Sequence, residues 1–361
     1  MKFLKNVWEF CSTWTGAIIL ALLGIFFLAQ AFTIPTRSMV GTFLEGDFLF
    51  VKKFSYGLPL PRIPWFDVVI MPDFAGNGHI IEGERPKRGE VAVFIPPIEQ
   101  SHYVKRVYAV GGDEIIFAKD GYFLRPSGGD EEITKSYPNA QKKEFFGKTF
   151  IKDPFIGQFS GIVYEKTFWH KSEITPFNRP IARTKYFYDD KAMKFYTKVC
   201  AQGETTISNA DMRTDCDIFE KSFVNEEAQN FVLVKNITYE EMLSPNGIGT
   251  KMSKHTQNDE VFFYTKVEPD SFFMTGDNRN NSLDSRFFGT VSYKDIIGQP
   301  WFIYFSIARA NSEEIGADMD SKKRYVVRWE RMFKGMAGLE QLAQKIRENK
   351  NTAIPAGIKE F

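Results

Sequence analysis

The sequence is poor in the residues that build metal sites and disulfide scaffolds. It has 3 Cys and 4 His in 361 residues, and no H-E-x-x-H pair that could hold a metal. Lys plus Arg number 46 and Asp plus Glu 45, which leaves a formal net charge of +1. A nucleic-acid-binding protein normally carries a basic surplus. The composition therefore excludes zinc modules and disulfide scaffolds, argues against nucleic acid as a partner, and predicts no metal.

Motifs of the common nucleotide-binding and hydrolase families are also missing. No G-x-x-x-x-G-K-[ST] or G-x-G-x-x-G loop is present to cradle a phosphate, and we predict no cofactor. The range 157–161 reads GQFSG and fails the G-x-S-x-G spacing of a nucleophile elbow. Nothing indicates a Ser-His-Asp triad, although the sequence alone does not exclude one. A hydrolase built from this chain would then use a base other than histidine.

Long apolar runs are absent except at the amino-terminal end. The range 10–36 contains no charged residue. About 20 helical residues at about 1.5 Å each cross the hydrocarbon core of a bilayer. We therefore predict a transmembrane helix over 15–34, after a short tail over 1–14. A cleaved signal peptide is the alternative, with Ala29-Gln30-Ala31 as its cleavage site.

The remainder of the chain has the composition of a β protein. Phe occurs 36 times and aromatic residues make up 16%, and such residues favour strands. We predict a mainly β fold with a body formed by 35–120 and 269–308. The range 121–268 is more polar, but Phe, Tyr and Trp keep recurring in it. We interpret it as an inserted β-rich subdomain.

The range 309–361 is predicted to be a C-terminal extension. Its apolar residues recur at helical spacing among Lys and Glu: Met332, Met336, Leu339, Leu342 and Ile346. This spacing predicts an amphipathic helix packed on the body, and a helix lying on a membrane surface is the alternative.

Three patches carry a more specific pattern. They read, in chain order, IPTRSM over 34–39, YVKRV over 103–107 and GDNRNNSLDSR over 276–286. Together they resemble type I signal peptidases, which are membrane-bound Ser/Lys proteases that remove signal peptides from exported proteins. The third string is the most specific, and the order and spacing of the other two add to it. The resemblance runs to about residue 305, and the inserted range matches only in position.

The resemblance implies an antiparallel β-sheet catalytic body and a role for each matched residue. Ser38 is implied to be the nucleophile and Lys105 the general base. Thr36 corresponds to a hydroxyl that joins the nucleophile's backbone N–H in the oxyanion hole, and Ser282 to a serine that orients the lysine amine. The other matched residues are implied to support the site structurally: Asp284 and Arg286 as a bracing pair, and Asp277, Asn278 and Arg279.

The chemistry suits these residue types. A serine hydroxyl is a poor nucleophile until a neighbouring base accepts its proton. A lysine can do so only when neutral, and burial lowers its pKa from an ordinary value near 10.4. Lys105 lies between Val104 and Val107 in an aromatic-rich strand, which suits a desolvated amine. Without the other patches, a strand lysine with its amine in water would be favoured at that position. We expect activity to fall as the pH drops through the pKa of Lys105.

Two positions depart from the family pattern. Gly41 stands before Thr42 where the family usually has Pro, and VGGD over 110–113 replaces an L-P-G-D turn. Both changes affect backbone turns and leave the reacting groups in place.

The resemblance also implies partners and a location. The partners are signal peptides with Ala-x-Ala sites, bound as an added strand, and the lipid bilayer that holds them. Cleavage after Ala31 would separate the body from that membrane, so a retained single-pass anchor is favoured. The implied location is a bacterial inner membrane, with the body on the extracytoplasmic side. Cys200 and Cys216 could pair in an oxidising compartment, and the oligomeric state stays open.

Two other functions are compatible with parts of the pattern. Self-cleaving repressors also use a Ser/Lys dyad, but the apolar segment and the lack of a DNA-binding region argue against them. A membrane-anchored, non-catalytic binding or assembly module could retain a residual protease pattern. The intact set of Ser38, Lys105 and Ser282 argues against that alternative.

Overall fold

A computed structural model of the protein describes residues 2–24, 29–63, 68–163, 168–174, 180–185, 231–234, 239–243, 249–279, 282–309 and 325–348. Most regular structure in these ranges is β, which confirms the predicted mainly β fold. The strands are β1 (Ala29–Thr33), β2 (Asp47–Lys52), β3 (Gly57–Pro59), β4 (His79–Glu82), β5 (Val91–Phe94), β6 (Tyr103–Val110), β7 (Glu114–Ala118), β8 (Gly121–Arg125), β9 (Lys142–Phe145), β10 (Lys148–Lys152), β11 (Phe168–Ile174), β12 (Pro180–Lys185), β13 (Phe231–Val234), β14 (Ser253–Gln257), β15 (Glu260–Lys266), β16 (Ser271–Thr275), β17 (Val291–Ser292), β18 (Ile296–Arg309) and β19 (Tyr325–Val327).

Helices are fewer and shorter in the described residues. They are α1 (Lys2–Cys11), α2 (Trp14–Leu23), α3 (Gly129–Ser136), α4 (Tyr239–Leu243), α5 (Ser285–Phe288) and α6 (Met336–Glu348), with short 3₁₀ helices at Arg37–Met39, Tyr293–Asp295 and Trp329–Arg331.

The main sheet is antiparallel and has the strand order β1-β2-β18-β5-β6-β16-β17, with β19 paired to β18. Its middle is apolar on both faces, since all four residues of β5 are buried. The long strand β18 pairs with β5 through its first residues and with β2 from Gln299 to Ser306, and its register shifts within both pairings. Strands from distant parts of the sequence thus meet in one sheet, which brings the first, second and third patches together.

A second antiparallel sheet has the order β14-β15-β7-β8-β10-β9. It packs on the main sheet through a shared core that includes Tyr108 of β6 and Phe273 of β16. The β7–β8 hairpin belongs to this sheet and pairs Ala118 with Gly121, so it lies across the predicted boundary between residues 120 and 121. A further sheet of order β12-β11-β13 and the β3–β4 ribbon complete the described strands.

The apolar amino-terminal segment differs from the predicted single helix over 15–34. Residues 14–23 are helical, but Ala29–Thr33 is a strand that pairs with β2, from Ala29 opposite Lys52 to Thr33 opposite Phe48. The helix prediction fails there because the backbone groups of these residues hydrogen-bond to a neighbouring strand that the local composition does not reveal. Across the described ranges, no helix combines the length and the apolar character needed to cross a bilayer.

The C-terminal extension packs on the body, as the helical spacing predicts. The helix begins at Met336, because Trp329–Arg331 forms a 3₁₀ helix and Gly335 bridges to Phe302 of β18. Leu339 is 1% exposed and joins the core of the main sheet.

Candidate active site

Ser38 lies on a short 3₁₀ helix, Arg37–Met39, that follows the edge strand β1. Its position is held by the neighbour on its C-terminal side, since Met39 is 1% exposed and packs in the core of the main sheet. The turn continues with hydrogen bonds from the N–H groups of Thr42 and Phe43 to the Met39 carbonyl, at 3.0 and 2.8 Å. The serine itself is half-buried. Its hydroxyl is therefore presented by a rigid turn.

Lys105 lies in β6, near the middle of the main sheet, and is 4% exposed. Burial disfavours the ammonium form and lowers the pKa of Lys105 from its ordinary value of 10.5 to about 8. Two carboxylates, Asp284 and Asp277, oppose part of this effect. The ring centroid of Tyr103 lies 5.2 Å from the amine nitrogen. The amine can therefore lose its proton at a pH close to neutral.

The two side chains meet directly. Lys105 Nζ lies 2.6 Å from Ser38 Oγ and donates a second hydrogen bond of 3.2 Å to the Val104 carbonyl. Thr36 Oγ1 lies on the exposed side of the serine, 3.4 Å from Ser38 Oγ. This contact between a nucleophile and a base is what hydroxyl activation requires.

Residues of the third patch hold the backbone of the serine turn. The Asn278 N–H donates to the Ser38 carbonyl at 3.1 Å, and its side-chain amide donates to the Arg37 carbonyl at 3.2 Å. Gly276 lies against the same carbonyl, where a Cβ would come within 2.3 Å of the Ser38 oxygen and 2.2 Å of Ser282 Oγ. Only glycine therefore fits at this close approach.

Three buried ion pairs involve residues of the third patch. Asp284 pairs with Arg286 through two hydrogen bonds of 2.8 and 2.9 Å, and both side chains are fully buried. Arg279 pairs with Asp153 at 2.9 Å, again with both side chains fully buried. The third pair joins Asp277 to Arg106. These contacts are charge-assisted and geometrically specific.

Arg106 is the residue whose role the sequence motif does not indicate. Its Nε and one terminal nitrogen each donate to the Asp277 carboxylate at 2.7 Å, which also accepts from Thr42 Oγ1 at 2.6 Å. Burial by itself would raise the pKa of Asp277, but the Arg106 guanidinium holds that pKa below its ordinary value. Asp277 is therefore an anionic link between the lysine strand and the serine turn. The only signal of Arg106 in the sequence is a second charge directly after Lys105, in a strand that is otherwise apolar.

Ser282 is predicted to orient the lysine amine. It is 1% exposed and lies next to Gly276. However, its hydroxyl has no hydrogen-bond partner among the described residues. The lysine amine instead donates to Ser38 Oγ and to the Val104 carbonyl. The orienting role of Ser282 stays a prediction.

The turn at Gly41 explains one departure from the family pattern. Gly41 has φ of +102°, and a Cβ there would come within 2.2 Å of the Gly161 carbonyl oxygen. Proline is restricted to φ near −65°, so it could not occupy this position in this backbone. The second departure lies in the turn between β6 and β7, where Asp113 accepts from the Val110 N–H at 2.9 Å.

The cysteines and the potential metal ligands contribute less to the site. Cys200 and Cys216 lie outside the described residues, and Cys11 is a free, partly exposed thiol. Within the described ranges, no group of three or more His, Cys, Asp and Glu side chains could hold a metal ion.

A serine hydroxyl in contact with a buried lysine amine of lowered pKa is the arrangement that a serine hydrolase with a lysine base requires. Comparison with known proteins agrees with this class. The family described as "Signal peptidase, peptidase S26" matches residues 7–192 and 201–305. The signal peptidase I of Helicobacter pylori (strain J99) is 46% identical over 350 residues, covering 96% of this chain and 98% of the relative. The signal peptidase I of Buchnera aphidicola subsp. Schizaphis graminum is 28% identical over 288 residues, covering 80% and 71%. The chain belongs to this signal peptidase family and is a serine endopeptidase.

Proposed function

We propose that this protein removes signal peptides from exported preproteins after Ala-x-Ala-like sites. The observation that carries the proposal is the contact of 2.6 Å between Ser38 Oγ and the buried Lys105 amine, in a chain of the signal peptidase family. A family member that had lost activity would not need to keep a costly buried amine beside the serine.

The reaction follows from these groups. Neutral Lys105 accepts the hydroxyl proton as Ser38 Oγ attacks the scissile carbonyl, and the resulting ammonium then protonates the leaving amine. The acyl-enzyme is hydrolysed by water, with the lysine again acting as the base. We assign the developing oxyanion to the Ser38 N–H and the Thr36 hydroxyl, and the orientation of the amine to Ser282. The role of Thr36 is supported by the distance of 3.4 Å between its Oγ1 and Ser38 Oγ.

The structural residues have a defined part in this proposal. Asn278 positions the serine carbonyl, while Asp277, Arg279, Asp284 and Arg286 take part in buried ion pairs. None of them touches the reacting atoms. Their role is to keep two segments distant in sequence at a fixed separation.

Ser38→Ala is expected to abolish cleavage of a preprotein with an Ala-x-Ala site by the solubilised full-length protein, because no other hydroxyl occupies the position of Ser38 Oγ. Gel analysis of precursor and mature product measures this. The control is Ser101→Ala, which removes an exposed-loop hydroxyl bonded to Glu99 and should leave cleavage intact. If Ser38→Ala cleaves at the wild-type rate, the nucleophile assignment is wrong. If the wild type cleaves none of several preproteins, the non-catalytic module becomes the leading alternative.

We also propose that the catalytic body works beside a membrane. Helix α2 exposes Ile18, Ile19 and Leu20. A second exposed apolar surface surrounds the β3–β4 ribbon and consists of Val68, Val69, Ile70, Met71, Phe74, Ile80 and Ile81. A cluster of exposed apolar residues along one part of the chain is typical of membrane or partner contacts. The predicted single-pass anchor and its extracytoplasmic orientation belong to this proposal.

Lysine substitutions at Ile18 and Leu20 should weaken membrane association, because each places a charge where the proposal puts lipid. After alkaline carbonate extraction of cell membranes, the wild type is expected in the pellet and most of the double variant in the supernatant. Gln100→Lys combined with Thr256→Lys adds the same charge at exposed positions of the body and should leave the distribution unchanged. Equal retention of both double variants would contradict an anchor at α2.

A further inference from the structure

The C-terminal segment Tyr325–Glu348 lies against the serine turn, although it follows the last residue that the family match reaches. Strand β19 pairs with β18 from Ile307 to Arg309, and α6 begins nine residues after β19 ends. Between them, Arg328 and Arg331 are 2% and 1% exposed. Two buried arginines on one short segment require specific partners.

Arg331 binds both ends of the turn that follows the serine. It donates to the Asp47 carboxylate at 3.1 and 2.6 Å and to the Thr42 carbonyl at 2.8 Å. The same carboxylate accepts from the Leu44 N–H at 2.8 Å. One guanidinium therefore closes the loop from Thr42 to Asp47.

Arg328 also binds the loop from Thr42 to Asp47. It donates to the Glu45 carbonyl at 2.5 Å and to Ser306 Oγ at 2.8 Å, and Ser306 Oγ in turn donates to Asp47 at 2.6 Å. Gly46 of this loop packs directly on β18, since a Cβ there would come within 2.0 Å of the Ile307 carbonyl oxygen. The loop thus has little room to shift while the segment is in place.

Glu340 of α6 reaches the other half of the dyad. One carboxylate oxygen accepts from Arg106 at 2.8 Å, directly after Lys105 in β6. The other accepts from the Gly161 N–H at 3.0 Å, in the loop that packs on Gly41. A single side chain therefore connects the lysine strand with the loop behind the serine turn.

Apolar contact completes the connection. Leu339 packs in the same core as Met39 and Phe43, which belong to the turn that follows Ser38. The helix is thus fixed to the turn by its buried side and to the lysine strand by Glu340.

We propose that the segment Tyr325–Glu348 is a clamp that positions Ser38 against Lys105, with Arg331 and Glu340 as its positioning residues. The inference rests on the proposed function, because it assigns both residues to the same reaction. Neither side chain contacts the dyad atoms. Their effect is on the separation of Ser38 Oγ and Lys105 Nζ, and a misplacement of about 1 Å can cost about 100-fold in rate.

The test uses the full-length protein with Glu340→Gln and Arg331→Met. Both variants should lower kcat, by about 10-fold and about 100-fold, while KM for a preprotein stays within about twofold, since neither residue is placed in the substrate site. Amide hydrogen exchange in residues 39–47 should become faster, because the clamp no longer restrains the turn. The matched control is Glu330→Gln, which removes the same charge from an exposed position of the clamp.

Two results would overturn the clamp. One is a Glu340→Gln variant with the kcat and exchange rates of Glu330→Gln. The other is a loss of activity that follows only the unfolded fraction, with exchange in residues 39–47 unchanged. If Arg331→Met fails to fold, Glu340→Gln decides alone. Hydrogen exchange is independent of cleavage, so a wild type that cleaves no preprotein refutes the proposed function while the clamp is still tested.

Discussion

Lys105→Met is expected to lower kcat for preprotein cleavage by about 10⁴-fold, the upper end of the range for loss of a general base. Methionine fills a similar volume without an amine, so Ser38 Oγ loses the group that lies 2.6 Å away. The fold should tolerate this change, because the lysine is 4% exposed and an apolar chain suits that position. Initial rates of precursor cleavage measure the effect.

The base assignment has its own controls. Lys105→Arg keeps a positive charge but cannot be neutral near pH 7, so it should be as inactive as the methionine variant. Lys266→Met changes an exposed lysine of β15 and should retain full activity. A Lys105→Met protein with more than about a tenth of the wild-type kcat would require another base.

The pH dependence of kcat/KM in the wild type also tests whether Lys105 is the base. Because burial lowers the pKa of Lys105 to about 8 and the neutral amine is the base, kcat/KM should fall about tenfold per pH unit below that value and level off above it. A rate that stays constant from about pH 6 to about pH 9 would exclude lysine as the base.

Asp277→Ala is expected to lower the free energy of unfolding by about 3–5 kcal/mol, because removing one partner leaves a buried charge without its counter-ion. Asp277 is fully buried, and its carboxylate accepts two hydrogen bonds from Arg106 and one from Thr42. Cleavage should also be lost, since this link joins the lysine strand to the serine turn. Urea unfolding followed by circular dichroism measures the stability.

Asp130→Ala is the matched control for this variant. Asp130 also pairs with an arginine, Arg125, at 2.6 Å, but its side chain is 68% exposed. Exposed pairs contribute little to stability, so its urea midpoint should stay close to that of the wild type. Equal midpoints for the two variants would mean that the Asp277 link does not stabilise the fold.

The buried carboxylates have a second effect on the site. Burial lowers the pKa of Lys105, while Asp284 and Asp277 raise it. Both carboxylates are engaged by arginines, Arg286 and Arg106, so their influence on the amine is moderated. The pKa near 8 is therefore a balance between desolvation and charges that also brace the backbone.

The dyad can be predicted from sequence because its residues lie in short strings with a fixed order. The resemblance identifies Ser38 and Lys105, and the structure places them in contact. The same resemblance assigns Ser282, whose hydroxyl has no hydrogen-bond partner among the described residues. A motif specifies which residues are present, whereas a hydrogen bond depends on the path of the backbone between them.

The amino-terminal strand shows the limit of local patterns. Ala29–Thr33 is uncharged and follows an apolar run, so composition favours a helix. The structure pairs it with β2, because strand formation depends on a partner edge elsewhere in the chain. A short apolar run does not by itself distinguish the two.

Composition and contiguous motifs are sufficient to predict the β-rich class and the family of this protein, and to propose its nucleophile and base. They do not reveal which distant charges complete the site. Arg106 lies in the second patch but has no visible partner in the sequence. Arg331 is 289 residues from Thr42 along the chain, and Glu340 is 234 residues from Arg106. Burial and pairing of charges are properties of the folded sheet, because they depend on which strands become neighbours. In this protein, a fold that joins strands from both ends of the chain determines them.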